Sequence, residues 1–253
     1  MEYSATCHVH SIWSYDARWP LEDLACKFRD RGSRVLLMTE HDRGFSAQRL
    51  QQYREACAQT SSEEILLVPG IEYSDAANRV HVLVWGPVPF LGEGLPTTEM
   101  LERVRAAGGV AVLAHPSRKE VWNSFEPAWT SLLLGIELWN RKYDGWAPSQ
   151  TAPALLTDTG AVPFVGLDFH TQRQSFPLSM GMELEGGISE ENVLECLRSR
   201  RCRPYAFGKP FLGKKVALVS SALSLAENGR RALATIARSA KKSLRGKTSA
   251  KKS

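Results

Sequence analysis

No apolar run in the 253 residues reaches the roughly 18 needed to span a bilayer, so no membrane-crossing helix is expected. The N-terminus lacks the basic-then-apolar pattern of a secretory leader, which makes a cytoplasmic location the default expectation. Cysteine is scarce. The five residues are odd in number and show no CxxC spacing, so a disulfide framework is not expected. No internal repeat is present. Acidic residues are missing from 241–253, which hold six Lys and Arg. Eleven of the 32 Lys and Arg, but one of the 27 acids, lie in 214–253, leaving residues 1–213 with 21 basic and 26 acidic groups. The formal charge of +5 therefore belongs to the C-terminal end, and the body is mildly acidic. That weakens any argument for nucleic acid from the overall charge. Histidine is absent from every helix-patterned segment and from the tail.

What is present reads as one α/β domain of ordinary composition, 43% hydrophobic and 23% charged, long enough for a full barrel-sized core. Strand-like runs alternate with helical ones. Strands are expected at 3–10, 35–39, 64–73, 80–86, 110–115, 135–140 and 162–170, and helices at 21–31, 46–59, 97–107, 150–158 and 189–199. The strands are continuous apolar runs, the pattern of strands buried on both faces, and repeated β-α units imply a mostly parallel sheet. Thr97-Thr98-Glu99 resembles a capping box for the third helix, and Ser189 is placed to cap the last. About seven strands suggest a closed or nearly closed barrel. The expected division is 1–213 as the catalytic body, 214–240 as an accessory helical segment interrupted at Asn228-Gly229, and 241–253 as a basic tail. Such a tail is normally solvated, though it also offers a surface for membrane or nucleic acid.

All six histidines fall in or just after the strand runs, most at their C-terminal ends, where open and closed α/β sheets place their chemistry. His8 and His10 occupy an HxH, which puts both rings on one strand face. Asp168 and His170 repeat that spacing. His41 follows a strand between Glu40 and Asp42. Glu72 ends the run after Pro69-Gly70-Ile71. His81 lies early in its strand, and Pro116 stops the strand at His115. Asp16 lies in the loop after the HxH. Neutral imidazole beside carboxylate is the donor mixture of divalent-metal sites. Cys7, beside His8, reads either as an extra ligand or, the favoured reading, as a buried strand residue turned away from His8, because neighbours alternate. Asp42 reads either as a partner orienting His41 or as a solvated turn acid. Positive groups follow the motifs at Arg43, Arg118, Lys119, Arg141, Lys142 and Arg173. Of these, Arg43, Arg118, Arg141 and Arg173 are the candidate substrate contacts, since guanidinium grips phosphate in a fork. The loop 138–146 adds Trp139, Tyr143 and Trp146, able to stack a base or simply to pack, and Glu137 reads either as lining the mouth or, the favoured reading, as structural.

In order, HxH…D, strand-His-Asp, PGxE, His, AHP and GxDxH resemble the PHP (polymerase and histidinol phosphatase) family, from about residue 5 to 205. The resemblance implies a distorted seven-stranded β/α, TIM-like barrel with a trinuclear metal centre at its C-terminal mouth. It implies one site from His8, His10, Glu72 and Asp168. A second would share Glu72 and add His81 and His115. A third would use Asp16, His41 and His170. Some relatives carry histidine where Asp16 stands. Three divalent ions of the Mn, Zn or Fe type are implied, with a metal-activated water as nucleophile and no histidine left over as a separate base.

The leading expectation is a metal-dependent phosphoesterase acting on a phosphorylated metabolite or nucleotide. Alternatives are a 5′→3′ exonuclease-type activity, with the tail touching nucleic acid, and a carbamate or non-phosphate ester hydrolase on the same scaffold. A fourth reading is a binding module without turnover, against which the complete ligand set argues. Phosphatase versus phosphodiesterase, the native metals and the oligomeric state are not specified by these motifs.

Overall fold

The computed structural model describes residues 1–211 and 221–235. The expected boundary at 213/214 and the basic tail 241–253 lie outside the described residues.

Twelve strands form two six-stranded sheets among the described residues, in place of the single, mostly parallel sheet expected. One sheet is built on β1 (Glu2–Val9), β2 (Val35–Met38) and β4 (Leu66–Val68), which run parallel. The other contains β3 (Glu40–His41), β5 (Gly70–Ser74), β6 (His81–Trp85), β7 (Val110–Leu113), β8 (Gly135–Asn140) and β9 (Val162–Gly166). The chain passes directly from β2 to β3 at Thr39 and from β4 to β5 at Pro69, so two runs feed both sheets. Pro69 has no N–H to offer a ladder, which accounts for the second break. At the opposite edge, Leu167 N–H donates to the Cys7 carbonyl (3.0 Å), and Phe169 donates its N–H to the His8 carbonyl (3.0 Å) and accepts from the His10 N–H (3.0 Å).

β6 is antiparallel to both β5 and β7. The connection 75–80 is a tight turn, with Asn78 N–H on the Asp75 carbonyl (2.8 Å) and Asp75 N–H on Val80 (3.1 Å). Six residues cannot make the crossover that a parallel neighbour needs. Three strands that the sequence reading missed, β10 (Leu178–Glu183), β11 (Cys202–Ala206) and β12 (Lys209–Pro210), extend the first sheet antiparallel beyond β1.

β2, β6, β7 and β8 are buried along their whole length, as continuous apolar runs require. Helices α1 (Leu21–Arg29), α2 (Ala47–Thr60), α3 (Thr97–Ala106), α4 (Ala152–Thr159) and α5 (Glu190–Arg198) correspond to the five expected. Ser189 caps α5 through the Asn192 N–H (3.2 Å). The capping box of α3 does not form. Pro96 is the N-cap residue, and Thr98 instead donates to Glu126 (3.0 Å) and accepts from the Trp129 indole (2.8 Å). Residues 221–235 form an unbroken helix through Asn228-Gly229, contrary to the expected interruption. Its buried Glu227 accepts from the Trp146 N–H (3.2 Å) and pairs with Arg230 and Arg231. Gly145, at φ 81°, makes that docking possible, because a Cβ there would collide with the Glu227 carboxylate.

Candidate metal centre

The ends of β1, β3, β5, β7 and the segment after β9 open at one mouth, and the antiparallel β6 begins there. His81 sits early in its strand for this reason. It pairs with Ser74 at the end of β5, and Val82 pairs with Leu113 at the end of β7. Strand reversal thus places the first residue of β6 among the last residues of its neighbours.

Glu72, 1% exposed, lies at the middle of the cluster. Its Oε1 is 2.7 Å from His81 Nδ1 and 2.9 Å from His115 Nε2. Its Oε2 is 3.1 Å from His41 Nδ1, 3.4 Å from His10 Nε2 and 3.5 Å from His8 Nε2. Asp168 Oδ1 lies 3.2 Å from His170 Nδ1, 3.6 Å from His10 Nε2 and 3.8 Å from His8 Nε2. Asp16 faces His41 (3.4 Å) and His170 (3.2 Å). The nine residues expected at the centre therefore converge. The face-sharing of His8 and His10 does not come from plain alternation. His8 has φ 61°, and the pairing with β2 slips between Cys7 and Val9, yet the two rings end 5.2 Å apart. His115 (φ 27°) and Asp168 (φ 49°) are also left-handed, a cluster of strained backbone at one site.

Donor atoms of His8, Glu72 and His115, of His8, His10 and Asp168, and of His10, His41 and His170 each gather within 4.8 Å. The Nε2 atoms of His8 and His10 are buried without a hydrogen-bond partner, and both face Glu72 and Asp168. Orphaned imidazole nitrogens beside carboxylates fit divalent cations, since an unpaired buried acceptor is otherwise costly.

Two buried carboxylates that the sequence reading did not assign to the site orient these rings. Glu137 Oε1 accepts from His8 Nδ1 (2.9 Å), and its Oε2 accepts from the His115 N–H (2.7 Å) and the Asn140 side chain (2.8 Å). Gly166 is required beside it, because any Cβ would clash with Oε1. Ser14 Oγ lies 3.2 Å from His10 Nδ1 and donates to Glu40 (2.5 Å), which also takes the Ser11 N–H and hydroxyl. Only the HxH and the strand-end acids hinted at these partners; the bonds of Glu137 to His8 and His115 and of Glu40 to Ser11 and Ser14 join distant parts of the chain, whereas Ser14–His10 and Asn140–Glu137 are local.

Asp42 matches neither expectation. It is 3% exposed and accepts from the Ser74 N–H (3.0 Å). Cys7 is buried in the hydrophobic core. Lys142 Nζ donates to Asp168 (3.0 Å) at the edge of the cluster. Arg43 lies over the Tyr15 ring (5.2 Å), which stacks on His41 (5.2 Å). Arg118 is committed to Tyr143 (3.1 Å) and to Asn78, and Lys119 donates to the Asn78 carbonyl (2.6 Å). Arg141 packs over Phe176 (4.9 Å), and Arg173 lies in an exposed turn after Thr171. Among the described residues neither arginine touches the cluster. Of the loop aromatics, Tyr143 packs on His115 (4.6 Å), Trp139 is in the core, and Trp146 meets Arg230.

Burial disfavours a charged ring at His41, yet Asp16 and Glu72 override it and push the pKa up to about 10. Burial acts likewise on His170, and Asp16 and Asp168 push it up to about 9. Burial, reinforced by His41 and His170, holds His10 well below its usual range. Burial would raise Glu72, but His81 and His8 keep it well below the carboxylate range. In the metal-free protein, His41 and His170 hold protons more tightly than in the unfolded chain, where histidine titrates near ~6.5. Their stabilisation is complete below ~6.5 and is lost as pH rises through about 9 and then about 10. Thermal unfolding of the chelated protein is expected to show Tm falling between neutral pH and pH ~10. A flat Tm across that window would remove these ion pairs from the account.

No family model and no curated protein matches the chain. Solved structures do. A two-domain protein from Bacteroides vulgatus, described as containing a predicted PHP-like metal-dependent phosphoesterase, matches at 19% identity and TM-score 0.61, over 81% of this chain and 65% of that one. This chain thus spans just under two thirds of that protein. PsfC from Pseudomonas syringae matches at 19% identity and TM-score 0.59, over 92% of this chain and 99% of PsfC. The lesion-specific endonuclease PfuEndoQ from Pyrococcus furiosus matches at 14% identity and TM-score 0.59, over 85% of this chain and 61% of the endonuclease. The fold of this chain is the one shared with PHP-like metal-dependent phosphoesterase structures.

Proposed function

We propose that the chain is a metal-dependent hydrolase of phosphate esters, acting on a small phosphorylated metabolite or nucleotide. The observation that carries this reading is the pair of orphaned, buried Nε2 atoms of His8 and His10 aimed at two carboxylates. The two sheets are read as one distorted seven-stranded barrel, with β2–β3 and β4–β5 counted as interrupted single strands. His8, His10, Glu72 and Asp168 would hold one cation. Glu72, His81 and His115 would hold a second, and Asp16, His41 and His170 a third. Cations of the Mn, Zn or Fe type there would supply charge neutralisation at phosphate oxygens and a water acidic enough to ionise near neutral pH.

The chain's own groups do the rest. Glu72 places one oxygen toward His81 and His115 and the other toward His8, His10 and His41. Glu137 and Ser14 hold the Nδ1 sides of His8 and His10, leaving both Nε2 atoms to face inward. Lys142, 29% exposed at the side chain, offers the cation nearest the cluster for an anionic substrate. Arg43 is the arginine best placed to join it, one ring away from His41. All six histidines are engaged, so none is left as a separate base.

The endonuclease relatives, one of them solved with an abasic duplex at its active site, favour a second reading: hydrolysis within or at the end of nucleic acid. The acidic balance of residues 1–213 weighs against long nucleic-acid contacts. Turnover of p-nitrophenyl phosphate with added Mn²⁺, abolished by EDTA, is the expected result. No turnover of any phosphate ester would reject the proposal. Preferential cleavage of a single-stranded oligonucleotide, with binding that weakens steeply with salt, would select the second reading.

A further inference from the structure

Between the loop after β8 and the helix at 221–235 lies a cavity of about 360 Å³. That volume is in the range of small-molecule pockets. Two of its walls belong to the metal centre's surroundings. Tyr143 packs on His115 (4.6 Å), and Ser117 lies two residues beyond that histidine.

The charged groups of the lining are committed to one another. Asp144 accepts from the Ser117 hydroxyl (2.5 Å) and the Asn140 N–H (2.7 Å). Glu227 is held by Arg230 and Arg231. Arg231 also donates to the carbonyls of Tyr143 (3.2 Å) and Asp144 (3.0 Å). The neutral groups are different. Among the described residues, the side chains of Gln150, Asn228 and Ser224 and the Trp122 indole make no hydrogen bond. Two amides, a hydroxyl and an indole N–H supply paired donors and acceptors, and Trp122 and Tyr143 add aromatic side chains to the lining. A second phosphate would meet Asp144 and Glu227 and find no uncommitted cation. A flat, neutral, hydrogen-bonding ring meets partners for both its edge and its face.

We propose that this cavity receives the organic part of the phosphate ester, and that this part is the base of a mononucleotide. The proposal rests on the phosphoesterase reading for the site of reaction, while base binding itself does not need phosphate. It also gives the helix at 221–235 a role, since Ser224 and Asn228 come from it.

Phosphate-free adenosine is the direct probe, titrated by calorimetry against the full-length protein and two variants. Ser224→Trp fills the cavity from the helix, and Trp122→Ala removes a ring; circular dichroism checks that both fold. Saturable binding to the parent is expected, weakened about tenfold or more in each folded variant, as loss of a stacking surface implies. In kinetics, the ratio of kcat/KM on adenosine monophosphate to that on glycerol phosphate should fall by a similar factor, through KM. Absence of adenosine binding, or unchanged binding in both variants, would overturn the proposal. Higher kcat/KM on a 5′-phosphorylated trinucleotide than on the mononucleotide would overturn the assignment to a free nucleotide. Adenosine binding that the variants lose, in a protein that hydrolyses no ester, would support the cavity and reject the phosphoesterase reading.

Discussion

Glu72→Gln is expected to lower metal-dependent turnover by ~10³-fold, the upper end of what removing a single preorganised electrostatic contact costs an enzyme. Its two oxygens approach five histidines between them, from 2.7 to 3.5 Å. Glutamine keeps the shape but replaces one oxygen with an N–H₂ that cannot bind a cation or accept from an imidazole. Metal content, measured by elemental analysis after dialysis, should fall with activity, because this carboxylate is proposed to serve two of the three groups. The metal-free variant should also be less stable. Removing one partner from a buried charged pair costs ~3–5 kcal/mol in typical cases, so the loss should be visible in denaturant unfolding. Wild-type metal content and turnover in Glu72→Gln would remove this residue from the centre.

The second large effect should come from a residue that touches no proposed cation. Glu137→Gln is expected to weaken metal affinity ~10–100-fold, the usual cost of losing a partner that orients a ligand. Glu137 is 1% exposed and accepts three N–H groups, one of them His8 Nδ1. Glutamine offers one oxygen, so it cannot serve His8 on one side and His115 with Asn140 on the other. The His8 proton would then no longer be confined to Nδ1, and Nε2 would not be kept free to face Glu72. Competition with a chelator measures the affinity. Nitrogen-15 shifts of His8 report the tautomer, which a purely structural role for Glu137 would leave unchanged. Normal affinity together with an unaltered His8 tautomer would assign Glu137 to packing alone.

The sequence is legible where chemistry is local. A histidine or carboxylate carries its donor atom wherever the chain puts it, and Pro116 marks the end of the strand that carries His115. His8, His10, Glu72 and Asp168 carry that donor chemistry in the sequence itself, and the fold brings them together. The arginines fared differently. A guanidinium reaches far on a flexible stem, so proximity in sequence says little about its partner. Arg141 turned to Phe176, and Arg118 turned to Asn78 and Tyr143.

The sequence by itself determined the alternation of helices and buried strands, the absence of a long apolar run, and the residue types from which a metal centre can be assembled. These depend on periodicity, composition and neighbours a few positions away. Tertiary structure alone decided the rest. It reversed β6 and so brought His81 to the mouth. It added β10, β11 and β12 beside β1, and it set Glu137 against His8 across 129 positions of chain. Strand direction, sheet order and side-chain orientation are settled by pairing between distant segments, where each candidate register competes for the same buried hydrogen bonds.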